Sequence, residues 1–171
     1  MKSTTIRGEI KINAGKEQVW DALANFGDIY QASPGVVKSY LTSDAKTGVG
    51  ATRHCDFTAN GADGGNVEEE ITAWEEGESM SINITEFNKI PGIKHLLAEF
   101  DIRADGKDTI LRAVFTYSMK NILFDAMNPL MVKKANTKAL HGLLAGYKKN
   151  IESGEEVQSA TKIDYDKVVT I

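Results

Sequence analysis

Residues Thr4 to Ile12 alternate Ile6, Gly8, Ile10 and Ile12 with Arg7, Glu9 and Lys11. A period of two predicts a strand with one buried face. After Asn13-Ala14-Gly15 the period lengthens: Val19, Trp20, Leu23 and Phe26 recur three and four apart, with Glu17 and Asp21 in the first turns, where a helix dipole favours anions. An amphipathic helix ending near Gly27 is expected there. A short second helical turn over Asp28-Ile29-Tyr30-Gln31 is expected to stop at Ser33-Pro34-Gly35, because the residue before a proline is disfavoured in helical geometry.

From Gly35 to about Lys120 the period of two returns in six runs: Val36 to Ser43, Ala51 to Thr58, Val67 to Trp74, Met80 to Phe87, Leu96 to Ala104 and Thr109 to Lys120. Between them stand Thr47 to Gly50, Asn60 to Gly65, Glu76 to Glu78, Ile90 to Gly92 and Ala104-Asp105-Gly106-Lys107, all rich in turn-forming residues. The last, an Asp-Gly between alternating runs, predicts a tight hairpin. A long helix is predicted from Asn128-Pro129 to about Ile151, with Ser153-Gly154 as its stop. Val132, Ala135, Ala139, Leu140, Leu143, Leu144, Tyr147 and Ile151 form its apolar stripe. Two outcomes stand open for residues 155–171: a disordered tail, or a short added strand through Val168-Val169-Thr170-Ile171.

This order, strand, two short helices, six strands and a long helix, predicts an α+β domain over residues 1–154, with 155–171 as a tail. Its seven antiparallel strands curve around the long C-terminal helix, the one element long enough to cover their apolar face. A helix about 10 Å wide cannot fill so curved a sheet, and the remaining volume is a cavity for a ligand. Strand parity places on the inner face Arg53, Cys55 and Phe57; Val67, Glu69 and Ile71; Met80, Ile82 and Ile84; Leu96, Ala98, Phe100 and Ile102; and Leu111, Ala113, Phe115, Tyr117 and Met119. Arg53 and Glu69 stand out, since a buried charge costs several kcal/mol unless paired or solvated. Either they form a pair or two polar handles in a wet cavity, or an edge or bulge turns one of them outward.

Composition narrows the function. The formal charge is −4 at pH 7, and the densest basic groups are Lys133-Lys134 and Lys148-Lys149, which argues against a nucleic-acid binder. The lone Cys55 excludes an intrachain disulfide and fits a reducing compartment. The opening residues lack the apolar stretch of a signal peptide, and no apolar run approaches the roughly 18 residues of a membrane span. A cytoplasmic protein without integral membrane association is expected.

The three histidines, His54, His95 and His141, lie on separate elements without metal-ligand spacing, so no metal is expected. His54 and Cys55 are adjacent on a strand and point to opposite faces, which excludes a Cys-His pair. His141 reads as a pocket base or, more simply, as a half-exposed residue at the edge of the helical stripe. The glycines at 48, 50 and 61–65 do not open a helix after a buried strand, so they read as hairpin loops, the first bordering the pocket entrance. Of Glu68-Glu69-Glu70, the outer two are expected to face outward. Trp20 belongs to the buried stripe of the first helix, and Trp74 reads as an exposed or strand-end aromatic. The apolar segment Phe87 to Leu97 reads as a lid over the pocket mouth, with Ile122, Leu123, Phe124, Met127 and Met131 as the opposite rim. A homodimer patch is the competing explanation for these residues.

The run Val19-Trp20-Asp21-Ala22-Leu23-Ala24-Asn25-Phe26-Gly27, then Ser33-Pro34-Gly35-Val36-Val37-Lys38-Ser39, then Gly48-Val49-Gly50-Ala51-Thr52-Arg53, resembles the SRPBCC or START-like superfamily. The likeness is greatest to its bacterial polyketide cyclase/dehydrase and lipid-transport group, and it extends through the Gly65 to Trp74 strand and the closing helix, over residues 4–152. The resemblance implies the helix-grip fold with a deep pocket for lipids, sterols, polyketides or hormones, without a cofactor. Because that fold hosts carriers, receptors and enzymes, it does not by itself choose among them. The expected function is binding of a small hydrophobic or amphipathic molecule as carrier or sensor. Arg53, Phe57, Glu69, Ile82, Phe100, Phe115, Tyr117, Leu140 and Leu143 are the expected ligand-binding residues. The alternative is a cyclase/dehydrase-like enzyme in which Arg53, Tyr117 or Glu69 polarises a carbonyl or moves a proton, as polar pocket residues do in the superfamily's aromatic polyketide cyclases. A partner-binding module resembling the chaperone-activator branch is a third reading.

Overall fold

The structure, a computed structural model, describes residues 2–59 and 61–171; Met1 and Asn60, which entered the reading of the N-terminus and of one turn, lie outside the described residues. Strand β1 (Ser3–Ile12) leads to helix α1 (Lys16–Ala24), a 3-10 segment (Phe26–Gln31) and strands β2 (Val36–Leu41), β3 (Thr52–Ala59), β4 (Ala62–Glu75), β5 (Ser79–Asn88), β6 (Ile93–Asp105) and β7 (Asp108–Met119). Then come α2 (Ile122–Met127), a π turn (Asn128–Val132), α3 (Lys133–Ser153) and a two-residue strand β8 (Val169–Thr170). The strands form one sheet in the order β2-β3-β4-β5-β6-β7-β1-β8, and every pairing is antiparallel. This is the expected α+β helix-grip architecture with an eighth strand, which the tail supplies by pairing Val169 with Glu9. The tail is also held by Val157, which is fully buried and donates its N–H to the Gln31 carbonyl at 2.8 Å.

The inner face follows from strand parity. Along β7, Leu111, Ala113, Phe115, Tyr117 and Met119 are buried while the residues between them are half-buried. All the expected inner residues are buried except Phe57, which is half-buried. β-bulges add curvature. At one of them Gly64 and Gly65 oppose the single residue Phe57, and Gly65 has φ 86°. A Cβ there would lie 2.3 Å from the Asn88 carbonyl oxygen, so only glycine fits. Residues 62–65, expected as loop, are therefore strand. Likewise β5 runs to Asn88 and β6 starts at Ile93, so the expected lid is a hairpin with four connecting residues.

Two helix boundaries differ from expectation. α1 stops at Ala24, where Asn25 leaves helical geometry, and the chain continues as 3-10 turns. Helix resumes before Asn128, because the Asn121 side chain caps α2 by accepting from the Leu123 and Phe124 N–H groups at 3.1 Å. Pro129, lacking an N–H, sits within the π turn that joins α2 to α3. α3 ends as expected at Gly154, in the left-handed conformation. Of the two expectations for Trp74, the strand-end one holds, since it is the penultimate residue of β4, but it is half-buried: its ring meets Trp20 edge-on at 4.9 Å, and both indole N–H groups donate to Glu76.

Two close approaches seat α3. At Gly8 of β1 a Cβ would fall 2.8 Å from Leu140, and at Gly146 a Cβ would fall 1.9 Å from the Ala32 carbonyl oxygen. Gly146→Ala is expected to destabilise the protein by about 1–3 kcal/mol, because a backbone carbonyl cannot swing aside, even though alanine favours helix by about 1 kcal/mol. Gly142→Ala, whose Cβ would stop 3.3 Å from Pro34, is expected to change stability by less than about 1 kcal/mol. Urea unfolding midpoints compare the two.

Candidate functional site

A cavity of about 220 Å³ lies between α3 and the concave face of the sheet. Its wall comes from β3 (Arg53, Phe57), β4 (Val67, Glu69), β5 (Ile82, Ile84, Phe87), β6 (Ile93, Leu96, Ala98, Phe100) and Phe115 of β7. Ile29, Ser33 and Val36 close one side, Ile90 contributes from the β5–β6 connection, and Asn136, Ala139 and Leu143 of α3 form the roof. Apart from Arg53, Glu69, Ser33 and Asn136 the lining side chains are apolar.

Arg53 and Glu69 are directly opposed across β3 and β4 and are 3% and 7% exposed, so both are buried on the inner face. The Arg53 Nε donates to Glu69 Oε2 at 2.6 Å, and Nη2 pairs with the same oxygen. Nη1 donates to the Phe26 carbonyl at 2.7 Å, and the guanidinium lies 4.1 Å from the centre of the Phe26 ring. Burial, the largest single influence, pulls the guanidinium pKa down, but attraction to Glu69, smaller contributions from Cys55 and Tyr147, and the hydrogen bond to Glu69 together hold the value above the ordinary one. Burial also pushes the Cys55 thiol up and raises the Tyr147 phenol to about 12, so both stay neutral and neither is poised as a nucleophile or base.

Of the expected ligand-binding residues, Arg53, Phe57, Glu69, Ile82, Phe100, Phe115 and Leu143 line this cavity. Tyr117 and Leu140 do not. Tyr117 points inward near the end of β7, beneath the π turn, and its hydroxyl donates to Asn128 Oδ1 at 2.8 Å. Leu140 lies about 100° around α3 from Ala139 and packs on Gly8 instead. The lining residues Ile29, Ser33 and Asn136 were not singled out in the sequence. Asn136 carried a signal, since it lies three and seven residues before Ala139 and Leu143 and so on the same helical face. Ile29 and Ser33 sit in an aperiodic segment that carried none. The Gly48-Val49-Gly50 loop, expected at the pocket entrance, does not contribute to the lining.

The histidines lie elsewhere. His95 bonds to Asn83, on the opposite parity to the buried Leu96, and His141 meets Thr170 at 3.3 Å at the edge of α3. His54 is on the outer face, where Nδ1 is hydrogen-bonded to Glu68, Nε2 is hydrogen-bonded to Asp56 at 3.0 Å and the ring stacks on Tyr40 at 5.1 Å. Among the described residues no group of His, Cys, Asp and Glu side chains is arranged to hold a metal.

Residues 3–152 match the family model described as polyketide cyclase/dehydrase and lipid transport, and the chain belongs to that family. Three solved structures illustrate the fold it shares. One is the crystal structure of Ara h 8.0201, 15% identical, with a TM-score of 0.73 over 89% of this chain and 99% of that one. A START superfamily protein from Mycobacterium smegmatis is 15% identical, with a TM-score of 0.71 over 86% and 97% of the two chains. The Zhui aromatase/cyclase from Streptomyces sp. R1128 is 12% identical, with a TM-score of 0.69 over 91% and 100%. At these identities the likeness is one of fold, the START-like helix grip. No curated protein matches the sequence.

Two predictions follow from the charged groups. Glu69→Gln leaves a buried guanidinium without its counter-ion and is expected to cost about 3–5 kcal/mol, whereas Arg53→Met with Glu69→Leu recovers most of the loss; chemical denaturation of the single and double variants measures both. The bonds of His54 to Glu68 and then Asp56 raise its pKa above the ordinary 6.5. A raised folded-state value contributes stability that is complete below the unfolded value and is lost as pH rises through the folded one. The unfolding midpoint of the wild type should therefore fall more than that of His54→Gln between about pH 6 and about pH 9.

Proposed function

We propose that the protein binds a small apolar or amphipathic molecule, a lipid, polyketide or aromatic metabolite, in the cavity under α3, as a carrier or sensor. The observation that carries this reading is an apolar chamber with a single buried ion pair in its wall. Apolar contact with Phe57, Ile82, Phe100, Phe115 and Leu143 supplies affinity, while Arg53, Glu69, Ser33 and Asn136 supply a few polar points for orientation. Size limits the ligand. A cavity of about 150 Å³ takes benzene, so 220 Å³ suits a one- or two-ring aromatic or a short acyl chain.

A cyclase needs a group free to move a proton at the substrate. Among the described lining residues the ionisable groups are Arg53 and Glu69, and Arg53 directs donors to Glu69 and to the Phe26 carbonyl. Tyr117, the other candidate, is turned toward Asn128. Both observations favour binding over turnover.

Native mass spectrometry of the purified protein, followed by organic extraction, is expected to find one apolar molecule per chain. Ala98 lies on the cavity wall and is 4% exposed, so Ala98→Trp fills the space a ligand would take. This variant is expected to keep its far-ultraviolet circular dichroism and to bind naphthalene, a two-ring probe of the size the cavity takes, at least about tenfold more weakly. Wild-type protein that carries no molecule and binds no apolar probe, or an Ala98→Trp variant that binds as well as wild type, contradicts the proposal.

A further inference from the structure

α2 and the π turn present an apolar face to solvent. Ile122, Leu123, Leu130 and Met131 are 84%, 65%, 80% and 62% exposed, and Met127 is 38% exposed. Their spacing keeps them on one side of the helical segment, opposite the buried Asn128 and the half-buried Phe124 and Val132. The inner side is fixed: the Asn128 side chain accepts from the Tyr117 hydroxyl and donates to Thr4 Oγ1 at 2.6 Å. So many large exposed apolar side chains in a short segment mark an interaction surface.

The charges around this face name the partner. Lys120, Lys133, Lys134 and Lys138 flank it and are all exposed. Between residues 120 and 138 they stand against one acid, Asp125, in a chain whose net charge is −4. An apolar face rimmed by lysines matches an anionic bilayer, whose interior takes the apolar side chains while its headgroups take the ammonium groups. A second copy of the chain fits less well, because two-fold pairing of this face would set lysines against lysines. No described helix is long and apolar enough to cross a membrane, so the segment lies on the surface rather than spanning.

We propose that the α2–π-turn face docks the protein onto an anionic lipid bilayer. The face also borders the cavity. Phe124 lies against Gly92, where a Cβ would meet it at 2.9 Å, next to the lining residues Ile90 and Ile93. Asn136 and Ala139, at the start of α3, line the cavity as well. Docking therefore brings the ligand chamber to the lipid surface.

Co-sedimentation with vesicles of phosphatidylcholine, with and without phosphatidylserine, tests the proposal on the intact chain. Wild type is expected to bind the phosphatidylserine vesicles at least about tenfold more tightly at low salt. Leu130→Asp with Met131→Asp, and separately Lys133→Glu with Lys134→Glu, should each reduce that binding about tenfold. All four residues are exposed, so neither pair removes core packing. Failure of the wild type to sediment with anionic vesicles, or wild-type binding by both variants, overturns the proposal. A solution dimer that Leu130→Asp with Met131→Asp converts to monomer overturns it in favour of a second copy. Sedimentation reads docking whether or not the cavity is filled, so its failure is distinguishable from a failure of ligand binding.

Discussion

The Arg53–Glu69 pair ties together the parts that make the chamber. It joins two neighbouring strands, and through the Phe26 carbonyl and ring it holds the start of the 3-10 segment that follows α1 against the sheet. A buried ion pair is a weak source of net stability, since desolvation offsets much of the attraction. Its effect here is on geometry. Slipping β3 against β4 by one residue would turn one charge outward and leave the other buried without a partner. The pair thus penalises alternative registers in the part of the sheet that faces the cavity.

The chamber itself arises from a mismatch between a wide curved sheet and one helix. α3 cannot sit uniformly on that sheet. It approaches closely at Gly8, under Leu140, and at Gly146, against the Ala32 carbonyl. Between these seats and the far strands the gap remains open, roofed by Asn136, Ala139 and Leu143. The same helix therefore closes the core along one side of its stripe and bounds an empty volume along the other, only about 100° around. Ligand binding in this account is a consequence of incomplete packing, with a few polar groups held in the walls.

Much of this was legible in the sequence because a strand has only two faces. Once Ile6, Ile10 and Ile12 or Leu111, Ala113 and Phe115 set the parity, the inner residues followed, including the charged Arg53 and Glu69. Position along a strand was harder to read. Tyr117 has the correct parity for the cavity, yet it lies under a π turn whose existence depends on the Asn121 cap and Pro129. Leu140 belongs to the apolar stripe, but a stripe records burial and not which neighbour provides it. Ile29 and Ser33 lie in a 3-10 segment without periodicity, and they reach the cavity only through tertiary contacts. The run Val168 to Ile171 left a short strand open as one of two outcomes; what decides it is the pairing of Val169 with Glu9 across most of the chain, a partner that no local pattern names.

Methyl nuclear magnetic resonance on protein labelled at isoleucine, titrated with naphthalene, tests the central claim most directly, because isoleucines line the chamber and also lie well away from it. The account predicts shifts at Ile29, Ile82, Ile84, Ile90 and Ile93, which line the cavity, and little change at Ile12 and Ile110, which do not. Saturable shifts confined to the first group would place an apolar molecule in the cavity. An absence of shifts at those five methyls, or shifts confined to Ile122 on the exposed face, would contradict it.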